Sequence, residues 1–507
     1  MKAEKSDLNN SSNIFKDEIL QNENRINYLM ELAKSNKFDQ KKELRPLAWR
    51  LFLGSIPPDK KSLEEWIDVI DSQRNEYKEK IKKYCSIKKY KKKDPLLIDE
   101  DNENEDILIN QDNNMIDKSI INLINLDLTR THQSLDLFQS TKTKNILANI
   151  LFIYSKENED LPYGQGMNEL ISMLYICFYP YYFSSKGKNI EKNEIKKYLN
   201  DIETHYEDIY LFFHNENEIQ SDLYFLFETL MHKGIKNLYG KDDIKKDDVN
   251  YNLYELFSDI IKDNANEERP THLNLRSYSL IKEKLKIIDR KLYNHFKKIN
   301  INCNYFLHRW FKCIFTREFE INEALSLWDK IFYYEYLNHN NTKYKYPLVY
   351  IDFISLAMII RIRNQLIKKD EGDCFTVLFH YPKGDDISDI FAISEKIGII
   401  FEKKLKNEEY NDLIDEILEE IKANNLNDEE NNNSGSGGDA NEELIITPHI
   451  YNQNNNKGLV TCDQKNENIV FCGRYYMKRK YIYAVGIFFI LCCLLVWIYN
   501  NIKEESK

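Results

Sequence analysis

The chain has 507 residues, 42% of them hydrophobic and 13% aromatic, enough apolar matter for one large core or two ordinary ones. Its formal net charge is −11 and no basic domain is sustained along it, which argues against a nucleic-acid binder. The nine cysteines are scattered, with no C-x-x-C pair and no His/Cys metal spacing, a pattern suited to free thiols in a reducing cytosol.

In chain order, the polar start MKAEKSDLNN carries no secretory signal, and residues 1–40 read as a polar, partly helical extension. From about Lys41 to Leu405 helical spacing dominates. The segment Arg45-Pro-Leu-Ala-Trp49-Arg-Leu-Phe-Leu-Gly54 is an amphipathic helix ending in glycine. Ile146, Leu147, Ile150, Leu151 and Tyr154 follow i, i+1, i+4, i+5, i+8 spacing; Leu170 to Phe178 repeats it until Pro180 stops it. Ser221 to Leu238, Leu273 to Ile299, Ile321 to Phe332 and Tyr350 to Leu366 have the same character. Few alternating patterns occur, and no hairpin dipeptide lies between such runs, so the fold class is all-α. The basic cluster Lys82 to Lys93, followed by an acidic stretch, reads as a surface loop. Two stretches, about 86–117 and 184–200, are too polar to offset their ordering entropy and read as insertions.

After a helical end, residues 406–474 become an Asn-rich flexible linker with Ser434-Gly-Ser-Gly-Gly438 near its centre. The segment Tyr481 to Tyr499 contains no charge and reaches ~28 Å as a helix, about one hydrocarbon core. Tyr481, Tyr483, Trp497 and Tyr499 stand at its ends, and Arg474, Lys478, Arg479 and Lys480 precede it, which predicts a transmembrane helix with the preceding chain cytoplasmic. With only residues 500–507 after it as a short lumenal tail, the expectation is a tail anchor in a lipid bilayer. A short span fits the ER or Golgi better than the plasma membrane.

Two further segments carry chemistry: Ile124-Asn-Leu-Asp127-Leu-Thr-Arg130-Thr131, and Leu161-Pro-Tyr163-Gly164-Gln165-Gly166-Met167-Asn168-Glu169. In the latter, Pro162 and two glycines break the chain between apolar helices. A glutamine between glycines can be held by backbone alone and pushed outward, and Asn168 can cap the next helix. Taken singly, Asp127 and Arg130 could be an i, i+3 surface pair worth little, Tyr-Gly-Gln-Gly an ordinary turn, and Trp49 a core anchor.

Taken together and in order, these segments resemble the TBC family of Rab GTPase-activating proteins. That family's R-x-x-x-W, I-x-x-D-x-x-R and Y-x-Q-G-M motifs are matched by Arg45/Trp49, Ile124/Asp127/Arg130 and Tyr163/Gln165/Gly166/Met167. Phe306 to Phe319, around Trp310, and Leu325-Ser-Leu-Trp328-Asp329-Lys-Ile-Phe332 resemble two further family stretches, and Gln165-Gly-Met-Asn-Glu169 is similar to a subgroup reading Q-G-M-N-E. The resemblance implies a multi-helical TBC domain over 41–405. It implies Arg130 as an arginine finger and Gln165 as a glutamine finger acting in trans on a GTP-bound Rab. Asp127 would orient the Arg130 loop by hydrogen bonds. Tyr163, Gly164, Gly166 and Met167 would shape the Gln165 loop, while Arg45, Trp49, Trp310, Trp328 and Asp329 are structural. GTP and Mg²⁺ would arrive with the GTPase, because G-x-x-x-x-G-K-[ST] is absent; Gly234 to Lys241 has the wrong spacing. The alternatives are a TBC scaffold that binds a GTPase without stimulating it, and an unrelated helical membrane adaptor with Arg130 and Gln165 far apart.

Overall fold

The computed structural model describes residues 5–89, 105–109, 115–185, 191–240, 271–341, 347–382, 387–421, 469–472 and 475–478. The chain divides into two units, Met1–Ser434 and Gly435–Lys507. The first is mainly helical, and one of its short helices is wholly buried. Helix α1 spans Lys5–Phe15, α2 Arg25–Lys34 and α3 Arg45–Leu53. Pro46 sits in the first turn of α3, where its missing N–H is not needed, and Gly54 ends it in the left-handed conformation at φ +88°. All nine residues of α3 are buried, including both its arginines.

Those arginines are matched across the core. Arg45 donates from Nε to Asp329 at 2.9 and 3.2 Å, and Trp49 Nε1 donates to the same carboxylate at 2.7 Å. Trp49 also packs on Trp328 and Phe332, with ring centroids 5.7 and 5.1 Å apart. Burial pushes the Asp329 carboxyl up to about 6 against the pull of Arg45. One turn along, Arg50 pairs with Asp222 at 2.5 Å. Asp222 also takes two bonds from Arg74 (3.0 and 2.8 Å) and one from Tyr182 (2.9 Å). Arg74 comes from α4 (Leu63–Tyr84), whose start is a Ser62–Glu65 capping box. Trp310 is buried with no hydrogen-bond partner for its indole, and Trp328 donates to the Ile314 carbonyl at 2.9 Å.

Several sequence expectations change here. The described N-terminal residues are not an appendage: Phe15, Ile19, Leu29 and Ala33 are buried, and Phe15 meets Tyr210 edge-on at 5.4 Å. Polar composition concealed an apolar stripe. Within the first polar stretch, strands β1 (Cys85–Lys89) and β2 (Glu105–Ile109) pair antiparallel, from Cys85↔Ile109 to Lys89↔Glu105. Backbone pairing does not need the alternation whose absence had argued for helices alone. The same stretch ends early, because α5 (Met115–Arg130) has already begun, with Asp117 buried against Lys156 at 3.0 Å. The second polar stretch contains helix Lys192–Tyr198, which buries Ile195 and sets Lys196 on Asp68 at 2.7 Å. In the Gly435–Lys507 unit, Ile469–Cys472 pairs antiparallel with Tyr475–Lys478, where a flexible linker was expected. These β-branched and aromatic residues favour strands. Among the described residues no helix is long and apolar enough to cross a membrane; the expected span 481–499 lies outside them.

Removing the carboxylate that joins Arg45 and Trp49 leaves the Trp49 indole N–H without its acceptor and the buried Arg45 guanidinium with only the half-exposed Asp39, at 3.0 Å. Asp329→Ala is expected to cost ~3–5 kcal/mol. The check is the urea midpoint, which falls at an unchanged m-value.

Candidate functional site

Helix α5 ends at Arg130, with Ile124, Asp127, Leu128 and then Thr131 on its buried side and Arg130 exposed. His132 follows in the left-handed region, at φ +41°, and turns the chain. Helix α6 (Thr141–Glu157) leads to the loop 158–166, and α7 (Met167–Phe178) leaves it. Gly166 is the residue before α7 and lies at φ +108°, where a side chain is strained. Gln165 is exposed; its neighbours Tyr163, Gly166 and Met167 are buried.

A buried hydrogen-bond network joins these two regions. The Tyr163 hydroxyl donates to Asp127 Oδ2 at 2.8 Å, with Asn168 Oδ1 3.2 Å away. Asn168 Oδ1 accepts from the Gly166 N–H at 3.0 Å, and its Nδ2 donates to Thr131 Oγ1 at 2.9 Å. Thr131 in turn donates to the Asp127 carbonyl at 2.8 Å. The Tyr163 N–H donates to Ser155 Oγ at 3.0 Å, which fixes the loop to α6. Burial, then the adjacent Asp127, push the Tyr163 phenol far above its ordinary range, so it stays protonated and donates.

Arg130 is therefore bracketed by Asp127 and Thr131, and Gln165 by Tyr163 and Asn168, and these four bracketing residues are bonded to one another. The unrelated-adaptor reading, with Arg130 and Gln165 on separate faces, does not fit that linkage. The Asp127 carboxylate accepts from Tyr163, which links the end of α5 to the neighbouring loop. One expected role changes. Asn168 is the second residue of α7 and accepts backward from Gly166, instead of capping the helix from in front.

Gln165 faces a cleft of about 800 Å³, whose wall includes Tyr163, Tyr239, Tyr305, Arg309 and Arg317. Leu123, two turns before Arg130 on α5, is 42% exposed and reaches the same wall. Arg317 closes one side by pairing with Glu169 at 2.9 Å. His132 stands 3.9 Å from that carboxylate, and burial lowers its affinity for a proton.

Sequence reasoning missed Tyr239, which lies in a segment without a distinctive motif, and gave no role to Arg317, although it lies inside the Phe306–Phe319 stretch. Tyr239 explains both glycines: a Cβ on Gly164 would stand 2.7 Å from Tyr239 Cδ1, and one on Gly166 3.1 Å from its hydroxyl. Met167 Sδ accepts from the Gly164 N–H at 3.3 Å and fills the inside of the turn.

The model of the Rab-GTPase-TBC domain matches residues 42–267 and 250–367, which include Arg130 and Gln165. This chain belongs to the Rab-GTPase-TBC domain family. The mouse (Mus musculus) TBC1 domain family member 5 is 28% identical over 356 residues, covering 68% of this chain and 39% of that protein. The Dictyostelium discoideum homolog A of that protein is 25% identical over 442 residues, covering 70% of this chain and 35% of that one. The Saccharomyces cerevisiae GTPase-activating protein GYP1 is 21% identical over 286 residues, covering 56% and 34%. The chain thus spans less than half the length of these TBC relatives. The crystal structure of the Ypt/Rab-GAP domain of Gyp1p shares the fold, with a TM-score of 0.52 at 18% identity over 78% of this chain and 99% of that one.

The tight fit of the turn is open to test. Gly164→Ala is expected to force Tyr239 or the loop aside and to cost ~1–3 kcal/mol, the range for overpacking. Chemical denaturation of the purified variant measures it.

Proposed function

We propose that this chain is a GTPase-activating protein for a Rab-family small GTPase, supplying Arg130 and Gln165 in trans. The observation that carries the reading is the buried network Asp127–Tyr163–Asn168–Thr131, which ties an exposed arginine and an exposed glutamine to one rigid support. GTP hydrolysis by a small GTPase is slow because charge developing on the phosphates is incompletely neutralised and the attacking water is loosely held. A guanidinium is always charged and offers a planar fork of donors for phosphate oxygens. A carboxamide offers an acceptor to the water and donors to the partner's backbone. Arg130 and Gln165 fill these roles. The nucleotide and Mg²⁺ belong to the GTPase, and this chain contributes no cofactor. The outcome is the return of a Rab to its GDP state and the regulation of vesicle traffic.

Single-turnover GTP hydrolysis against a panel of Rabs tests this. Wild type is expected to accelerate one or more of them by ~10³ or more, and Arg130→Ala and Gln165→Ala each to lose most of that gain. Both side chains are exposed, so neither substitution is expected to disturb the fold. Equal acceleration by wild type and Arg130→Ala would sink the finger assignment, and binding without acceleration would make the chain a scaffold.

We further propose that the uncharged segment 481–499 anchors the chain to a membrane of the ER or Golgi, with the TBC domain facing the cytoplasm. The support is its length, its terminal aromatics and the basic residues before it. Rabs carrying GTP sit on membranes by lipid tails, and tethering raises the effective concentration of the two fingers there. Deletion of 481–499 is expected to leave acceleration in solution unchanged and to abolish it in cells. Activity lost in solution as well would give the segment a structural role.

A further inference from the structure

We infer that Tyr239 is the positioning residue for Gln165: its ring backs the glycine-flanked turn. The inference rests on the reading of Gln165 as the side chain that holds the attacking water. Its physical basis is the conformational freedom of the turn. Glycines on both sides of Gln165 give the backbone more accessible states than any other residue type would. An unbacked Gly-Gln-Gly turn would swing its carboxamide through several ångströms, and displacements near 1 Å already cost about 10²-fold in positioned catalysis.

The chain around Tyr239 is shaped to prevent that. After the helix Ile219–Leu230 the backbone turns at Gly234, with φ +92°. Lys236 then reaches the entry of the Gln165 loop, donating to Asn158 Oδ1 and Asp160 Oδ1, each at 3.0 Å. Tyr239 reaches its exit. The aromatic ring leaves no room for a Cβ at Gly164, which would stand 2.7 Å from Cδ1, and at Gly166 a Cβ would stand 3.1 Å from the hydroxyl and 3.6 Å from ring Cε1. The hydroxyl donates to the Lys312 carbonyl at 2.9 Å, and Lys312 Nζ lies 4.8 Å from the ring centroid. Cys313 Sγ adjoins Gly166, 3.6 Å from where its Cβ would be. With the ring behind it, the turn presents the Gln165 side chain to the cleft. Tyr239 is only 7% exposed, so it acts on the GTPase through Gln165 and not by contact.

The test is single-turnover hydrolysis with the Rab that responds best in the panel, titrated with increasing amounts of the full chain. Tyr239→Leu removes the flat ring and the hydroxyl but keeps an apolar body. It is expected to lower the maximal rate by ~10-fold or more, while the half-saturating concentration stays within about 2-fold. Tyr239→Phe keeps the ring against both glycines and is expected to retain at least about half the wild-type maximal rate. Circular dichroism and thermal melting establish folding; if Tyr239→Leu does not fold, Tyr239→Met carries the same expectation. A folded Tyr239→Leu with full maximal rate overturns the inference. So does a loss confined to the half-saturating concentration, or a Tyr239→Phe as impaired as Tyr239→Leu. If Gln165→Ala itself retains full acceleration, the reading of Gln165 fails and the role of Tyr239 falls with it. That outcome is distinct from one in which Gln165→Ala is impaired and Tyr239→Leu is not.

Discussion

The hydrogen bond from Tyr163 to Asp127 is the contact on which the site depends. It crosses between α5 and the loop before α7, so it converts two separate surface features into one. Neither Arg130 nor Gln165 is held by its own side chain. Each is exposed, and each is oriented by the buried residues beside it. Such a division is physically reasonable. A side chain that must reach into a partner cannot also be anchored at home, so the backbone beneath it carries the order. Asn168 completes the arrangement by using both ends of its amide, one on the Gly166 N–H and one on Thr131. A fully satisfied buried network of this kind is stiff, whereas a partly satisfied one would be costly.

Behind the site, α3 performs an analogous joining at larger scale. Its two arginines lie on carboxylates from opposite parts of the chain, Asp329 and Asp222. Buried ion pairs contribute little net stability relative to apolar packing, but a mismatched charge is expensive. Their effect here is selectivity: an arrangement that fails to bring both carboxylates to α3 leaves Arg50 without Asp222 and Arg45 with only the half-exposed Asp39. The aromatic packing of Trp49 on Trp328 and Phe332 supplies the apolar burial at the same place.

The helical framework was legible from apolar spacing, because a helix that buries one face must repeat its apolar residues near every 3.6 positions. The runs at Ile146–Tyr154 and Leu170–Phe178 lie inside α6 and α7. The polar stretches were harder to read. Lys192–Tyr198 buries a single residue, Ile195, and residues 1–40 hide their apolar stripe among charges, so average composition misrepresents both. The β1–β2 pair was invisible because its pairing is made by backbone, to which side-chain patterning is blind.

At the site, sequence by itself determined which residue types stand where: an arginine after Ile124-x-x-Asp127, and a glutamine between glycines before an apolar helix. Local chemistry is enough for that, since glycine positions and helix ends are read from neighbours. Only the tertiary structure decided what those residues lean on. Tyr239, Arg317 and Thr131 reach the site from separate elements, and contacts between distant elements leave no periodic trace in any one of them. The tertiary structure also decided the partners of Asp127 and Asn168, because a carboxylate or amide can bond to whichever donor the fold brings within 3 Å or so, and sequence shows only the nearest candidates.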